Sequence, residues 1–394
     1  VLLGSATPSL ESYCNATDPS RKRPYAMINL PQRVAGLTLP KVQIVDLSQE
    51  RRKRYQMTGG AGVHLLSLTM ESWLQQTLKA GGQAMLLLNR RGYANYISCP
   101  DQKCGWIMHC EHCDVARVYR KDRTLPTGGY VMCHHCNAEQ LLPFQCPQCT
   151  KKVTTFGLGT QRVEEEIERK FPHATWARMD SDTMRTGHDY HATLARFRRG
   201  AIDILIGTQM IAKGLDFPNV RLVGVISADT SLHLPDFRAA ERTFQLIAQV
   251  AGRAGRSTDG GRVIVQTFNP DDPTILLAAK HDYRTFATRE ITFRRGAGLP
   301  PVTRMARIVV RDRDQAVSLA NALRRFNDDL ATGVILRGPS PCPIARIAEF
   351  HRQQIELTVD DASTLQRLMT ALRNARLLKS DAHTAVDVDP VDLL

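Results

Sequence analysis

The chain contains no apolar run of the roughly 18 to 20 residues that a membrane-spanning helix needs, and the apolar stretch in GGQAMLLLNRR is only strand length. A transmembrane helix is excluded, and the sequence reads as a soluble protein. Internal repeats and low-complexity tracts are absent, which rules out a solenoid or a disordered tail as the main architecture. No initiator Met or leader precedes VLLGSATPSLESY. The chain is therefore expected to be a fragment that begins inside a folded domain, and the lack of a signal peptide carries no information. Acidic residues are outnumbered, 39 against 52 Lys and Arg, giving a net charge of +13. A surface of that sign suits a polyanion, because each cation set against a phosphate releases counterions.

What is present begins with length. At 394 residues the chain is long enough for two or three domains with real cores. Eight of its ten cysteines form four close pairs: Cys99 and Cys104, Cys110 and Cys113, Cys133 and Cys136, Cys146 and Cys149. Three pairs are Cys-x-x-Cys, a spacing that brings two thiolates onto one tetrahedral metal at about 2.3 Å, so eight thiolates suit two zinc sites. A segment this poor in aliphatic residues buries little apolar surface, and structural zinc supplies on the order of 10 kcal/mol to such folds. The competing reading, a disulfide framework, belongs to small secreted domains, which the surrounding α/β pattern does not resemble. With a full set of thiolates, His109, His112, His134 and His135 are expected to be solvated loop residues. Cys14 and Cys342 have no obvious partners.

Along the chain, VLL reads as a short strand ending in SATPS, where a strand end places hydroxyls in a functional loop. From Val42 to Met57 the pattern predicts one strand and an exposed basic loop, SQERRKRYQM. Residues 63–79 carry Leu66, Met70, Trp73, Leu74 and Leu78 near a helical period. Ala84 to Leu88 is a strand running into Asn89-Arg90-Arg91-Gly92-Tyr93, a place for a phosphate contact or simply a solvated arginine pair. After the cysteines come a strand at Val153 to Phe156, the turn GLGT, and a helix TQRVEEEIERKF. Thr160 suits the cap of that helix, and Glu164, Glu165 and Glu166 suit its dipole. A helix HDYHATLARFRRG, strands at Asp203 to Ile206 and Leu222 to Ser227, the helical DFRAAERTFQLIAQVAGRAGR, and an edge or final strand at Gly261 to Phe268 complete a doubly wound, mostly parallel sheet. From Met305 onward the order strand, helix, strand, strand, helix, strand is the ferredoxin-like signature of a separate α+β domain.

Chemistry is concentrated in GTQMIAKGLDF and QVAGRAGR, neither of them a Walker motif. Arg253 and Arg256 stand three apart, flanked by Gly252 and Gly255. Small residues let the backbone approach a neighbouring surface while two fixed charges project together. That suits an arginine finger on a γ-phosphoryl group, and equally an ordinary helix C-terminus whose arginines meet its own dipole.

Together these stretches resemble the second, RecA-like motor lobe of superfamily 2 helicases: SATPS (Ser5 to Ser9) is similar to motif III, GTQMIAKGLD to motif V, and QVAGRAGR to motif VI. The eight-cysteine insertion, LNRRGYA, GLGT, LPP and the terminal DVDP narrow the resemblance to the primosomal protein N′ family of replication-restart helicases, over essentially the whole chain. The resemblance implies an ATP-dependent 3′ to 5′ DNA helicase that recognises and unwinds stalled or repaired forks and initiates primosome assembly. Its implied layout is the end of helicase lobe 1 at 1–25, lobe 2 at 26–97 and 151–270, the zinc insertion at 98–150, and the C-terminal domain at 271–394. It implies nested zinc ligands, Cys99, Cys104, Cys146 and Cys149 on one ion, and Cys110, Cys113, Cys133 and Cys136 on the other. Gln249, Arg253 and Arg256 would face the ATP γ-phosphate, with Arg256 the finger. Thr208 would touch the nucleic-acid backbone, Gly214 and Asp216 would couple it to the nucleotide, and Ser5 and Thr7 would link hydrolysis to lobe movement. The implied partners are branched and single-stranded DNA, primosome proteins and single-stranded DNA-binding protein, with no membrane, in a bacterial cytoplasm at the nucleoid. Two departures stand out. CPDQKC is wider than Cys-x-x-Cys. No G-x-x-x-x-G-K-[ST] and no acidic Walker B quartet occur, so the chain by itself neither cradles a β-phosphate nor holds Mg²⁺, and the resemblance places both on an upstream lobe. The alternatives are a non-catalytic zinc-dependent module that binds DNA or protein, and another superfamily 2 DNA translocase.

Overall fold

The computed structural model describes residues 1–19, 25–30, 39–59, 64–88, 96–99, 104, 106, 108–113, 117–121, 124–125, 129–133, 136, 138–156, 160–180, 184, 186–208, 211, 217–254 and 261–393. Helix α1 (Leu10–Thr17) is followed by β1 (Lys41–Asp46), α2 (Leu47–Thr58), α3 (Leu68–Lys79) and β2 (Gln83–Leu87). The cysteine-rich stretch holds β3 (Tyr96–Ser98), β4 (Val118–Lys121), β5 (Gly129–Met132), β6 (Glu139–Leu141) and β7 (Thr154–Phe156). Next come α4 (Thr160–Lys170), β8 (Trp176–Met179), α5 (Gly187–Arg198), β9 (Ile204–Gly207), β10 (Val220–Val225), α6 (Asp229–Leu232), α7 (Ala239–Ala251), β11 (Arg262–Thr267), α8 (Pro273–Ala279) and α9 (Tyr283–Ala297). The last unit is β12 (Arg304–Val310), α10 (Arg313–Asp329), β13 (Ile335–Ile347), β14 (Phe350–Val359), α11 (Ala362–Asn374) and β15 (Thr384–Val388).

Six strands form one sheet in the order β1-β11-β10-β2-β9-β8, and every neighbouring pair is parallel. Both faces are covered, as parallel sheets require. Met85 and Leu87 of β2 point into one apolar cluster with Phe197, Leu205, Phe244 and Ile247. Ala84 and Leu86 point into the other with Met70, Leu74, Val163 and Ile167. These continuous apolar runs are what the sequence predicts for β2, β9 and β10.

Three expectations are corrected, and a fourth is narrowed. Val1, Leu2 and Leu3 are exposed and pair with no strand among the described residues. The supposed basic loop is α2, which starts on the Asp46 carboxylate, acceptor from the Ser48 and Gln49 amides at 2.7 and 3.2 Å, and ends at Gly59 with φ 63°. It has almost no apolar face, and its arginines tether it instead: Arg54 donates to the Leu66 carbonyl at 2.9 Å and pairs with Glu71, and Arg51 lies 4.5 Å over the Phe268 ring. Strand β11 is the final strand of the sheet in chain order, but it lies between β1 and β10 rather than at an edge. The strand expected to resume the sheet after the cysteines, β7, pairs antiparallel with β3 instead, Tyr96 opposite Phe156. That ribbon is the stalk of the insertion.

No glutamate of α4 lies in the first turn, and two of them, Glu164 and Glu166, make tertiary contacts instead. Buried Glu166 accepts from the Leu65 amide at 2.7 Å and pairs with Lys170. Glu164 sits 3.1 Å from Arg178. Burial pushes the Glu164 carboxyl up to about 7 despite Arg178. A folded-state value above the ordinary one makes this contribution to stability present at low pH and lost as pH rises through about 7. Glu164→Gln, which cannot ionise, is therefore expected to gain melting temperature over the unsubstituted chain between pH 5 and pH 8. Calorimetry at the two pH values checks this, and a constant difference would refute it.

The C-terminal unit is a four-stranded antiparallel sheet ordered β13-β14-β12-β15 with α10 and α11 contributing to a single core. That is the ferredoxin-like arrangement, built on Ile308, Ile355, Leu357, Leu323 and Leu368.

Candidate metal centres and motor surface

The insertion has almost no apolar core. Among its described residues, Ile97, Met108 and Val131 are the buried apolar ones outside the cysteines, backed by half-buried Trp106, Leu142 and Val153. The thiols take the place of a core. They gather as two foursomes, Cys99, Cys104, Cys146 and Cys149, and Cys110, Cys113, Cys133 and Cys136, each with its sulfurs within 4.8 Å of one another. None is in a disulfide. The Cys99 and Cys149 sulfurs are 3.3 Å apart, Cys104 and Cys146 3.7 Å, and Cys110 and Cys136 3.6 Å. Four ligands around one ion at about 2.3 Å have edges of roughly 3.8 Å, so both foursomes have the size of a tetrahedral thiolate site. The wider CPDQKC spacing does not exclude Cys104 from its group.

Each foursome is set by turns that aim amides at sulfur. Burial pushes the Cys110 thiol up, but the amides of His112 and Cys113, with the neighbouring thiols, outweigh it and leave it at about 7. The same balance holds for Cys146, whose sulfur receives the amides of Gln148 and Cys149 and also settles at about 7. That turn is closed by Thr150, at φ 59°, whose amide donates to the Cys146 carbonyl at 2.9 Å. Amides pointing at sulfur favour thiolate, the form a metal requires. Cys113 differs: burial pushes it up to about 12, against the Ala348 amide, which pulls it down. The donor set, all sulfur and closed, fits structural zinc and leaves no open position for catalysis.

His112 is a half-exposed loop residue, yet it has a partner. Its ring pairs with the Glu349 carboxylate, and its carbonyl accepts from the Glu349 amide at 2.9 Å. Nothing in the local sequence announces a partner this distant. His134 and His135 lie outside the described residues, and His109 is exposed.

The other candidate residues lie on the parallel sheet and its N-terminal approach. Ser5 is exposed and Thr7 buried, and the Thr7 amide donates to Ser5 Oγ at 3.1 Å. The segment leans on α7: Gln245 Nε2 donates to the Thr7 carbonyl at 3.5 Å, and the Leu10 amide donates to Glu241 Oε1 at 3.0 Å. Gln245, Gln249 and Arg253 are four residues apart, so they follow one another along a face of α7 and its continuation. Gln249 is exposed on the last turn, and Arg253 follows the Gly252 cap. A Cβ at Gly252 would meet only the carbonyls of Gln249 at 3.3 Å and Ala248 at 3.6 Å. Thr208 is half-buried at the end of β9. The preceding Gly207 is required, because a Cβ there would sit 2.7 Å from the Met179 carbonyl and 2.8 Å from Ile211 Cγ2. Gly214, Asp216, Gly255 and Arg256 lie outside the described residues, as do Arg90, Arg91, Gly157 and Gly159.

Sequence reasoning missed Glu241 and Arg294, which tie this surface together. Arg294 is fully buried, with Nη2 3.0 Å from Glu241 Oε2 and Nε 2.8 Å from Glu290. The ERTFQ string on an otherwise apolar helix face was the available signal. Among the described residues no helix is long and apolar enough to cross a membrane.

The family described as Primosomal protein N C-terminal domain matches residues 295–391, and the family described as Helicase conserved C-terminal domain matches residues 138–258. The chain is 39% identical to the replication restart protein PriA of Bacillus subtilis, over 99% of this chain and 47% of that protein. It is 38% identical to that of Treponema pallidum, over 100% of this chain and 57% of the relative. The Haemophilus influenzae protein is 37% identical, over 100% of this chain and 52% of its own length. The chain thus spans about half the length of the curated relatives it matches.

Proposed function

We propose that this chain, a carboxyl-terminal region of the PriA family, is the second motor lobe, zinc module and C-terminal domain of an ATP-dependent 3′ to 5′ DNA helicase of replication restart. The observation that carries the reading is similarity at 37 to 39% identity over 99 to 100% of the chain to proteins named for replication restart. Arg256, with Arg253 and Gln249, would complete an ATP and Mg²⁺ site whose other wall belongs to the further half that the relatives possess. Thr208 would hold the nucleic-acid backbone, while Gly214 and Asp216 couple it to the nucleotide and Ser5 and Thr7 transmit lobe closure. The two thiolate foursomes would each hold one Zn²⁺, which supplies folding energy rather than chemistry. The charge of +13 favours branched and single-stranded DNA by counterion release. Primosome proteins and single-stranded DNA-binding protein are the proposed protein partners, and the cytoplasmic nucleoid the proposed location.

The test compares two preparations. The intact protein, carrying the family's upstream half, is expected to hydrolyse ATP only with DNA present and to open a forked duplex with 3′ to 5′ polarity. This chain alone is expected to bind DNA without turnover. DNA binding by the intact protein with no ATP hydrolysis would replace the motor with a zinc-dependent binding module.

A further inference from the structure

We infer that the tip of the β13–β14 hairpin is the outer wall of the Cys110, Cys113, Cys133 and Cys136 site, so that metal in this site and docking of the C-terminal domain on the cysteine module form one linked equilibrium. The inference rests on the zinc reading of the foursomes. The amide of Ala348 donates to Cys113 Sγ at 3.1 Å. The neighbouring Glu349 amide donates to the His112 carbonyl at 2.9 Å, and the Glu349 side chain pairs with the His112 ring. Ile347 packs against the apolar cluster that Cys110, Cys113 and Cys133 form. Arg346 holds Glu349 from its own strand at 3.5 Å.

The turn itself is unusual. Ala348 and Glu349 join Ile347 to its antiparallel partner Phe350 at φ 48° and 68°. A two-residue hairpin turn with both residues left-handed normally takes Asn-Gly or Asp-Gly. Ala-Glu adopts it here against its own steric preference, which persists where surrounding contacts over-determine the conformation. The contact that singles out this turn is the amide pointed at sulfur. The two foursomes also differ in exposure. Three of the four cysteines at the hairpin site are buried, against two of four at the other.

An N–H to a ligating sulfur stabilises thiolate over thiol and fixes its orientation, and losing such an outer partner typically costs about 10- to 100-fold in metal affinity. Linkage then requires the converse: metal in the site favours the docked hairpin by the same factor. The other foursome should lack this coupling.

Cys104→Ser and Cys136→Ser separate the two sites without touching the hairpin. Zinc per chain is counted by atomic emission, and amide hydrogen exchange at residues 347–350 is followed by mass spectrometry. Each variant is expected to fall from about two zinc to about one, with exchange at 347–350 rising about 10-fold or more in Cys136→Ser and holding steady in Cys104→Ser. Unchanged exchange in Cys136→Ser, or an equal rise in both variants, overturns the coupling while leaving the zinc reading standing. Undiminished zinc in both variants overturns the zinc reading and the coupling together. If Cys136→Ser does not fold, the double variant Ile347→Ser with Glu349→Ala attacks the contact from the other side. One of the two zinc ions is then expected to reach a chromogenic chelator about 10-fold faster, and unaltered release of both overturns the inference.

Discussion

Arg256→Ala in the intact motor is expected to lower DNA-stimulated ATP turnover by about 10³-fold or more, the scale of an arginine finger, while leaving DNA affinity unchanged. The helix that precedes this residue in the chain, α7, is well packed. Helix α7 buries Phe244, Leu246, Ile247 and Val250, and Phe244 stacks on Phe286 at 4.3 Å between ring centroids. The helix ends at Ala251, with the Gly252 amide donating to the Ala248 carbonyl at 3.1 Å. A finger works by arriving pre-positioned, and the packed helix ends five residues before Arg256. Steady-state turnover at saturating DNA, with binding measured in parallel, checks the prediction. Unchanged turnover would return both arginines to the alternative of an ordinary helix terminus.

The second large effect concerns stability. Arg294→Ala is expected to destabilise the fold by about 3 to 5 kcal/mol, the cost of leaving a buried charge without its partner. Arg294 bridges Glu241 on α7 and Glu290 on α9 and donates to the Pro300 carbonyl at 3.3 Å. Burial raises the Glu241 carboxyl, with Arg294 opposing it. Without the guanidinium, that carboxyl keeps only the Leu10 amide of the contacts described above. Melting temperature should fall on the order of 10 °C. Because the loss lies in the two orphaned acids, Arg294→Met combined with Glu241→Gln and Glu290→Gln should recover much of it. A single variant within 1.5 kcal/mol of the unsubstituted chain, about one tenfold step in the folding equilibrium, would show that the network is not a structural tie.

How much of this was legible in the sequence depends on what each signal encodes. Strands β2, β9 and β10 announced themselves because both faces of a parallel sheet are buried and the runs are uniformly apolar. The C-terminal order was readable because each element is amphipathic about one core. Strand β8 was missed because WARM is half-buried at a sheet edge and carries no run. Helix α2 was read as a loop because SQERRKRYQM has no apolar stripe, and its stability comes from two caps and from arginines meeting distant residues. The cysteines identified themselves by spacing, whereas their division into foursomes came from the family resemblance. Contacts between distant segments, such as Glu349 with His112 and Arg294 with Glu241, leave no local period and were out of reach.

The β3–β7 stalk has a consequence for how the chain reaches its fold. Ala84 pairs with Ile204 across the whole insertion, a parallel contact between distant residues that is slow to find by chain diffusion. Once Tyr96 meets Phe156, the insertion is tied off and the loop to be closed is shortened to about half. Loop-closure entropy falls by about 0.6 kcal/mol for each halving. The cysteine module, folding first around its ions, would thus act as a clip that draws β2 and β9 together, and refolding from denaturant should be slower when zinc is withheld.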